Sequence, residues 1–372
     1  MNAVVPVSTR LPGIGLALSG GGYRATLFHL GTLRRLAELG VLERIDQISS
    51  VSGGSITAGV LAADWAKHPE GSILDRVARV TTLLRSFCSH TIDTGTIIGG
   101  ALIPFRRISD LLAGKYDDGL FHGLMLADLA EAGPDFTFCA TNLQTGRLVH
   151  LTRERIVDYK IGSTVVPVQL ARAVAASSAF PPFLSPVEID CSQALWKATT
   201  YSTLTNNPKF SKRLYLTDGG AYDNLGLEPI WDRYRNVLVS DAGAPYENAE
   251  DMHMDWITQL HAVFDIGTDQ ARGVRKRWLI DKYATPEVDG AYWGIETDIA
   301  DYQLADALRV SPATIDTLAH MRTRLDAFSD DEQERLINWG YAVCDAAMRR
   351  WCRGLCTTPA APAFPYPQRP MA

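Results

Sequence analysis

A serine on a tight, glycine-flanked turn is well placed in this chain for nucleophilic chemistry. Ser52 lies in the run SVSGG at residues 50–54, after a short apolar segment and before a helical pattern. Such a strand-to-helix turn lifts the serine Oγ clear of the sheet and directs the next backbone N–H, that of Gly53, toward the same point. The pattern predicts a nucleophile elbow, and a simple polar turn is the alternative.

A second glycine-rich turn comes earlier and has the geometry to bind an anion. Gly20, Gly21 and Gly22 follow the apolar run 14–18 and precede a leucine-rich helical pattern that begins near Ala25. Consecutive glycines are tolerated where backbone turns sharply or approaches another group, and N–H groups at a helix N-terminus favour anions. We expect these glycines and Gly53 to supply donors for an oxyanion at one edge of a sheet.

A serine hydroxyl also needs a neighbouring group that takes its proton. Several histidines late in the chain lie in helical segments rather than in loops at strand ends, and so do not fit a Ser-His-Asp order: His253, His261 and His320. Asp218 follows the short apolar run 214–217 and precedes two glycines, so backbone could approach its carboxylate closely. A partly desolvated pocket would have to tune its basicity. The residues alone leave two interpretations of Asp218 open, a catalytic base and a simple Asp-Gly-Gly turn.

These side chains need a sheet to position them. Short apolar strands alternate with helical patterns from residue 14 to about residue 241. The alternation predicts an α/β fold, a three-layer α/β/α sandwich around a central, mostly parallel sheet. Segments 135–141 and 147–151 flank a turn and predict a β-hairpin. Beyond Pro245 the pattern is mainly helical, and we expect a peripheral helical region over about residues 245–356.

We expect residues 1–356 to form a single catalytic domain with a lid-like insertion over about residues 88–126. The insertion holds the apolar run 97–105, which is followed by Arg106 and Arg107. Apolar residues beside paired arginines suit a lid or a patch that rests on anionic lipid; an irregular excursion that covers the core suits them equally. Residues 357–372 hold five prolines and few residues to bury, which predicts a disordered tail.

The segment after an alanine-rich helix is expected to be stiff. The helical pattern 168–177 stops before Pro181 and Pro182, because proline cannot continue a helix. We expect these prolines to hold a rigid wall, and its apolar side chains to line an acyl pocket: Phe180, Phe183 and Leu184.

Composition excludes several classes of function. The net charge is −6 and no basic patch is visible, so nucleic acid is not an expected partner. The first residues do not resemble a secretory signal, and the run 97–105 is shorter than the ~20 residues that span a bilayer. We expect a cytoplasmic protein, or one peripheral at the inner membrane surface. The six cysteines fit no common zinc spacing, so neither a metal nor a cofactor is expected.

Taken in order, the three motifs resemble those of the patatin-like phospholipase family, which is related in its catalytic layout to the cytosolic phospholipases A2. The family pattern is a glycine-rich G-G-G-x-R/K segment, a G-x-S-x-G elbow and a later D-G-G/A motif. This chain has GGGYR at residues 20–24, SVSGG at residues 50–54 and DGG at residues 218–220. The segment AASSAFP at residues 175–181 also resembles the family. One departure is Ser50, which replaces the first glycine of the elbow.

The resemblance implies a Ser-Asp dyad, with Ser52 as nucleophile and Asp218 as general base. It implies that Gly20, Gly21 and Gly22 form the oxyanion hole, and that Arg24 orders that loop or binds a lipid phosphate. The expected activity is that of a lipid acyl hydrolase of phospholipase A type, acting on carboxylic esters of membrane phospholipids.

Two other classes of function stay open. Ser50 and the long insertion suit a catalytically weak or regulated lipid-binding member of the family, controlled by a ligand or a partner protein. The pattern Gly20-x-Gly22-x-x-Ala25 after a strand also fits a dinucleotide-binding turn. However, the second strand of such a module should end in a ribose-binding acid, where this chain has serines.

Overall fold

The first two strand-turn-helix units form at the two glycine-rich turns. The computed structural model describes residues 10–92, 105–182, 184–246, 248, 255–358 and 360–372. Strand β1 (Leu11–Leu18) leads through the first turn into helix α1 (Gly22–Glu38). Strand β2 (Gln47–Ser50) leads through the second turn into helix α2 (Gly53–Lys67).

The remaining strands and α-helices follow in chain order. The helices are α3 (Ile73–Cys88), α4 (Phe105–Tyr116), α5 (Leu170–Ser178), α6 (Pro208–Ser211), α7 (Gly220–Asp223), α8 (Glu228–Trp231), α9 (Trp256–Tyr283), α10 (Pro312–Ala319) and α11 (Asp330–Trp351). The strands are β3 (Asp135–Asn142), β4 (Arg147–Thr152), β5 (Ile156–Asp158), β6 (Gly162–Thr164), β7 (Val187–Asp190), β8 (Arg213–Asp218), β9 (Tyr234–Asp241) and β10 (Asp289–Gly294).

The strands form one mixed sheet in the order β10-β9-β1-β2-β3-β4-β5-β6, with β8 also paired to β3 and β7 to β8. The strands from β10 to β3 are parallel. The pairs that involve β4 to β8 are antiparallel. The predicted α/β fold is confirmed, but the sheet is mixed rather than mostly parallel. The predicted hairpin of β3 and β4 begins the antiparallel half, since a short turn can only join antiparallel strands.

Helices cover both faces of the sheet. On one face α1 lies next to α11, and the two helices touch through glycines: a methyl group at Gly31 would overlap the carbonyl of Ile337, and one at Gly340 would overlap that of Phe28. On the other face, α8 and α9 contribute Ile230 and Leu279 to a second buried cluster. The result is the three-layer arrangement that the strand-helix alternation predicts.

The segment after residue 245 is not merely a peripheral helical region. Strand β10 pairs in parallel with β9 and extends the sheet. Helix α11 is largely buried, and Trp339 and Cys344 are fully inaccessible to solvent. The sequence pattern does not predict β10, because Gly290 and Gly294 weaken its strand signal.

The described part of the proline-rich tail is packed against α11 rather than disordered. Asn338 exchanges two hydrogen bonds with the backbone of Tyr366, at 2.8 and 2.9 Å. Arg335 donates to the carbonyl of Pro370 at 2.8 Å, and Met371 is buried. The prediction of a disordered tail is therefore wrong. Prolines limit the backbone entropy that ordering costs, and side-chain donors of α11 satisfy the tail's carbonyls.

Residues 93–104 of the predicted lid lie outside the described residues, as do the side chains of 105–107. The described part of α4 belongs to the core: Leu112 and Tyr116 are fully buried. The hydroxyl of Tyr116 lies 3.1 Å from the Oγ of Ser178 in α5. The lid over residues 88–126 stays a prediction, and so does the single catalytic domain over residues 1–356.

Candidate active site

Ser52 occupies a strained turn between β2 and α2. Its φ is 51° and its ψ is −118°, a conformation that costs a residue other than glycine about 1–3 kcal/mol. Side chains on the two following residues would collide with backbone: a methyl group at Gly53 would overlap the carbonyl of Gly22, and one at Gly54 that of Leu18. The turn therefore has the sharp backbone and small neighbours of a nucleophile elbow.

Ser177, at the end of α5, holds this turn in place. The N–H of Ser52 donates to both the carbonyl oxygen and the Oγ of Ser177, each at 3.1 Å. The hydroxyl of Ser177 donates to the carbonyl of Cys139 at 2.6 Å, and its carbonyl also accepts the N–H of Gly219 at 3.2 Å. Ser177 thus links the turn of Ser52 to the turn that follows Asp218.

Ser50 is accommodated without a positive φ, as the last residue of β2. Its buried Oγ lies 2.9 Å from the Oγ of Ser55, which lies 2.8 Å from the Oγ of Ser177. It also donates to the carbonyl of Thr137 at 3.3 Å. The serine at the position of the elbow's first glycine therefore extends a chain of hydroxyl groups behind Ser52.

Replacing Ser177 with alanine should lower the free energy of unfolding by about 1–3 kcal/mol, because buried partners in the elbow lose their hydrogen bonds. Denaturant melts monitored by circular dichroism measure the change. Thr82→Ala is the control, since it removes an exposed hydroxyl bonded to Ala78 in its own helix. A Ser177→Ala melt that coincides with that of the unsubstituted protein contradicts this role.

The sheet topology brings Asp218 to Ser52. Strand β2 runs parallel to β3 and ends with Ser50 opposite Phe138. Strand β8 runs antiparallel to β3 and ends with Asp218 opposite Ala140. The carboxyl ends of β2 and β8 therefore approach each other along β3 from opposite directions. Where the two ends meet, the Ser52 hydroxyl lies close enough to the Asp218 carboxylate to lower the pKa of that carboxyl group.

Burial gives this carboxylate the basicity that a proton acceptor needs. Asp218 is only 4% exposed, and desolvation raises its pKa from an ordinary 3.8 to about 6. Hydrogen bonds from the Gly220 N–H, at 2.6 Å, and from the Ser52 hydroxyl act in the opposite direction and limit the rise. Asp218 is thus ionised near neutral pH and binds a proton more readily than an exposed aspartate.

Gly21, Gly22 and Gly53 are suitable oxyanion donors. Gly21 precedes α1 with a φ of 139°, and Gly22 begins the helix with a φ of 56°. Gly53 begins α2 directly against Gly22. N–H groups in the first turn of a helix have no acceptor within that helix and carry partial positive charge. Two helix N-termini therefore lie side by side next to Ser52.

Gly20 has a different role from the predicted one. Its N–H donates to the carbonyl of Asn224 at 3.0 Å, so it is already engaged by the protein. A methyl group at Gly20 would lie 3.2 Å from the Cβ of Ser52. Because this N–H already has an acceptor, the prediction that Gly20 donates to an oxyanion is wrong. Gly20 contributes instead by having no side chain that would crowd Ser52.

Arg24 is buried next to the glycine loop and helps to order it. Its side chain is buried and donates to three carbonyls: to Ala319 at 2.5 Å, to Met321 at 2.9 Å and to Ala242 at 2.8 Å. Of the two predicted roles, the loop-ordering one agrees with these contacts. Binding to a lipid phosphate does not, since the guanidinium is enclosed by backbone.

Asn224 is a site residue that sequence reasoning missed. Its carbonyl holds Gly20, and methyl groups at Gly20 or Gly220 would collide with its Oδ1. The side chain of Asn224 therefore lies between the glycine loop and the turn after Asp218. Asn224 directly follows α7, and no motif or periodicity in the sequence singles it out.

The predicted acyl wall is described only in part. Phe180 is 44% exposed and packs on Phe264 of α9, with ring centroids 5.7 Å apart. Leu184 is half-buried, and Phe183 lies outside the described residues. Phe180 is therefore at the surface near the end of α5, rather than inside a closed wall.

Two features are absent from the residues that the structure describes. In the part of the chain that the structure covers, no cluster of three or more His, Cys, Asp or Glu side chains could hold a metal ion. Within those same residues, no helix is both long and apolar enough to cross a bilayer.

Solved structures of other proteins resemble the fold of this chain. The chain resembles human GIVD cytosolic phospholipase A2 at 16% identity with a TM-score of 0.54, over 90% of this chain and 59% of that one. The same enzyme in complex with methyl gamma-linolenyl fluorophosphonate gives a TM-score of 0.54 at 16% identity, over 93% and 59%. VipD from Legionella pneumophila is 14% identical over 90% of this chain and 66% of its own, with a TM-score of 0.39.

At these identities the phospholipase A2 structures establish the fold, and this chain spans 59% of their length. No curated protein matches the sequence. The family model described as Patatin-like phospholipase matches residues 16–231, more than half of the chain. The chain therefore belongs to the patatin-like phospholipase family.

Proposed function

We propose that the protein is a lipid acyl hydrolase of phospholipase A type, which cleaves carboxylic esters of phospholipids. The observation that carries the proposal is the meeting of the Ser52 turn and the buried Asp218 carboxylate at the ends of β2 and β8, beside two helix N-termini. Family membership supports a lipid ester as substrate. So does the similar human phospholipase A2, which has been solved with methyl gamma-linolenyl fluorophosphonate.

In the first half of the reaction, Asp218 accepts the proton of the Ser52 hydroxyl as Oγ attacks the ester carbonyl carbon. The N–H groups of Gly21, Gly22 and Gly53 stabilise the oxyanion of the tetrahedral intermediate. The intermediate collapses by breaking the bond to the alcohol oxygen. Asp218 gives its proton to that oxygen, so a lysophospholipid leaves and the fatty acyl group stays on Ser52.

In the second half, water attacks the acyl-enzyme and gives a proton to Asp218. The second tetrahedral intermediate uses the same N–H donors. Its collapse breaks the bond to Ser52 Oγ, which recovers a proton from Asp218, and a fatty acid is released. One carboxylate thus serves as base and acid in both halves.

Two histidines lie near the sheet, His29 buried in α1 and His150 half-buried in β4. His29 lies with its Nε2 3.0 Å from the carbonyl of Ser19 and its Nδ1 2.9 Å from the Oγ of Ser240. Burial lowers the pKa of His29 to about 4, and it does the same for His150. Both imidazoles are therefore weaker bases than an ordinary histidine, and both ring nitrogens of His29 already have partners within the protein.

The direct test uses a phosphatidylcholine with different acyl chains at its two glycerol positions, presented as vesicles. The proposal predicts free fatty acid and lysophosphatidylcholine in equal amounts, and the chain length of the fatty acid identifies the ester cleaved. Release of phosphocholine or phosphate instead would assign a different bond. Absence of every product with the wild-type chain would contradict the proposed activity under the conditions tested.

The rate should depend on pH through Asp218. The carboxylate must be ionised to accept the serine proton, so we expect kcat/KM to rise with pH and reach half its plateau near the pKa of about 6. Below that value the rate should fall about tenfold per pH unit. Hydrolysis of a soluble short-chain ester, measured where circular dichroism shows the folded state, gives the profile. A flat profile across this range contradicts the role of Asp218.

A further inference from the structure

Helix α9 exposes large apolar side chains to solvent. Five of them are between 47% and 74% exposed, and they define what we call the α9 apolar face: Trp256, Leu260, Val263, Ile266 and Val274. Successive members are three, four or eight residues apart, which places them on one side of a helix with 3.6 residues per turn. Apolar patches of this kind commonly mark interaction sites.

The charges of α9 lie mostly away from this face. Asp265 pairs with His261 at 2.8 Å, and the buried Arg272 pairs with Glu296 at 2.7 Å. At the start of the helix the carboxylate of Asp255 caps the backbone and binds Thr258. The exposed Arg277 follows the last residue of the face. The face is thus apolar with a basic side chain at its far end.

The helix that carries the α9 apolar face packs close to the candidate active site. Phe180 packs on Phe264 at 5.7 Å and on His261 at 6.2 Å between ring centroids. The residue before Phe180, Ala179, accepts the N–H of Asp218 through its carbonyl at 3.0 Å. Further along, Arg275 of α9 pairs with Asp223 of α7, the helix after Asp218. The exposed ring of Phe180 therefore lies between α9 and the backbone that binds Asp218.

We propose that the α9 apolar face docks on a lipid bilayer and brings Ser52 to the membrane surface. The inference rests on the proposed function. Because the proposed substrate is a membrane lipid, a bilayer is the expected partner of an apolar surface beside the site. Side chains such as Trp and Leu insert at the boundary of headgroups and acyl chains, and a flanking arginine contacts anionic headgroups. The net charge of −6 means that apolar insertion, rather than overall attraction, drives binding.

The test measures binding to vesicles of equimolar phosphatidylcholine and phosphatidylserine by flotation. The full chain carries Ser52→Ala, so that no lipid is consumed. We expect the combined change Trp256→Gln, Leu260→Gln and Val263→Gln to reduce partitioning by about tenfold or more. Quenching of tryptophan fluorescence by brominated lipid should also fall in the single variant Trp256→Phe.

The matched control replaces equally exposed apolar residues elsewhere, Val165→Gln, Leu195→Gln and Tyr201→Gln. Thermal melts show that both triple variants are folded. Binding that is unchanged in the α9 variant, or equally reduced in both, overturns the proposal. Light scattering that finds a dimer converted to a monomer by the α9 changes would assign the face to a second copy and also overturn it. Failure of wild-type hydrolysis, with α9-dependent binding intact, would count against the proposed function alone.

Discussion

Replacement of Ser52 by alanine should lower kcat for ester hydrolysis by at least about 10⁴-fold. The change removes the oxygen that forms the acyl-enzyme, and the N–H donors that remain cannot replace it. Fatty-acid release from vesicles and hydrolysis of a soluble ester should fall together, because both need the same nucleophile. A variant that keeps a tenth of either activity would show that another group attacks the ester.

A second substitution at this position separates chemistry from backbone strain. Ser52 has a φ of 51°, which glycine adopts at little cost. We expect Ser52→Gly to be as inactive as Ser52→Ala but more stable by about 1 kcal/mol in denaturant melts. Equal stability of the two variants would contradict the view that the turn is strained for the sake of the nucleophile.

Asp218→Asn should reduce kcat about 10³-fold or more, because an amide keeps the shape of the carboxylate but cannot accept the serine proton at neutral pH. The pH dependence near 6 should disappear with it, since the titrating group is gone. Rates of soluble-ester hydrolysis between acid and neutral pH measure both effects. A variant that retains the ascending limb would place the titrating base elsewhere.

Asp223→Asn is the matched control for this change. Asp223 is also buried, lies five residues further along the chain and pairs with Arg275 at 3.4 Å. The substitution removes the charge that pairs with Arg275 and weakens the hydrogen bonds that Asp223 accepts from the N–H groups of Leu225 and Glu228. It should therefore lower the free energy of unfolding. We expect kcat per folded molecule to change far less than in Asp218→Asn.

The residues whose chemistry depends on a local turn could be predicted from the sequence. The SVSGG run at residues 50–54 encodes the turn of Ser52 through its own small residues, and the structure forms a sharp turn there. The partner of Ser52 depends on the direction of β8, which runs opposite to β2 along β3. Strand direction is set by long-range pairing, so the residues alone left Asp218 undecided.

Roles that depend on distant partners could not be decided from the sequence. The N–H of Gly20 is engaged by Asn224, and Arg24 is enclosed by the carbonyls of Ala242, Ala319 and Met321. A local motif carries no information about such contacts. The tail was misjudged for the same reason, because its order comes from donors on α11.

Labelling with a fluorophosphonate that carries a long hydrocarbon chain, followed by peptide mass spectrometry, tests the pairing of Ser52 with Asp218 most directly. The reagent requires an activated serine and forms a stable adduct at the nucleophile. We predict an adduct on Ser52 of the wild-type protein, with a labelling rate that falls at least about 10²-fold in Asp218→Asn. An adduct on a different serine, or labelling of Ser52 at an unchanged rate in Asp218→Asn, would contradict the dyad.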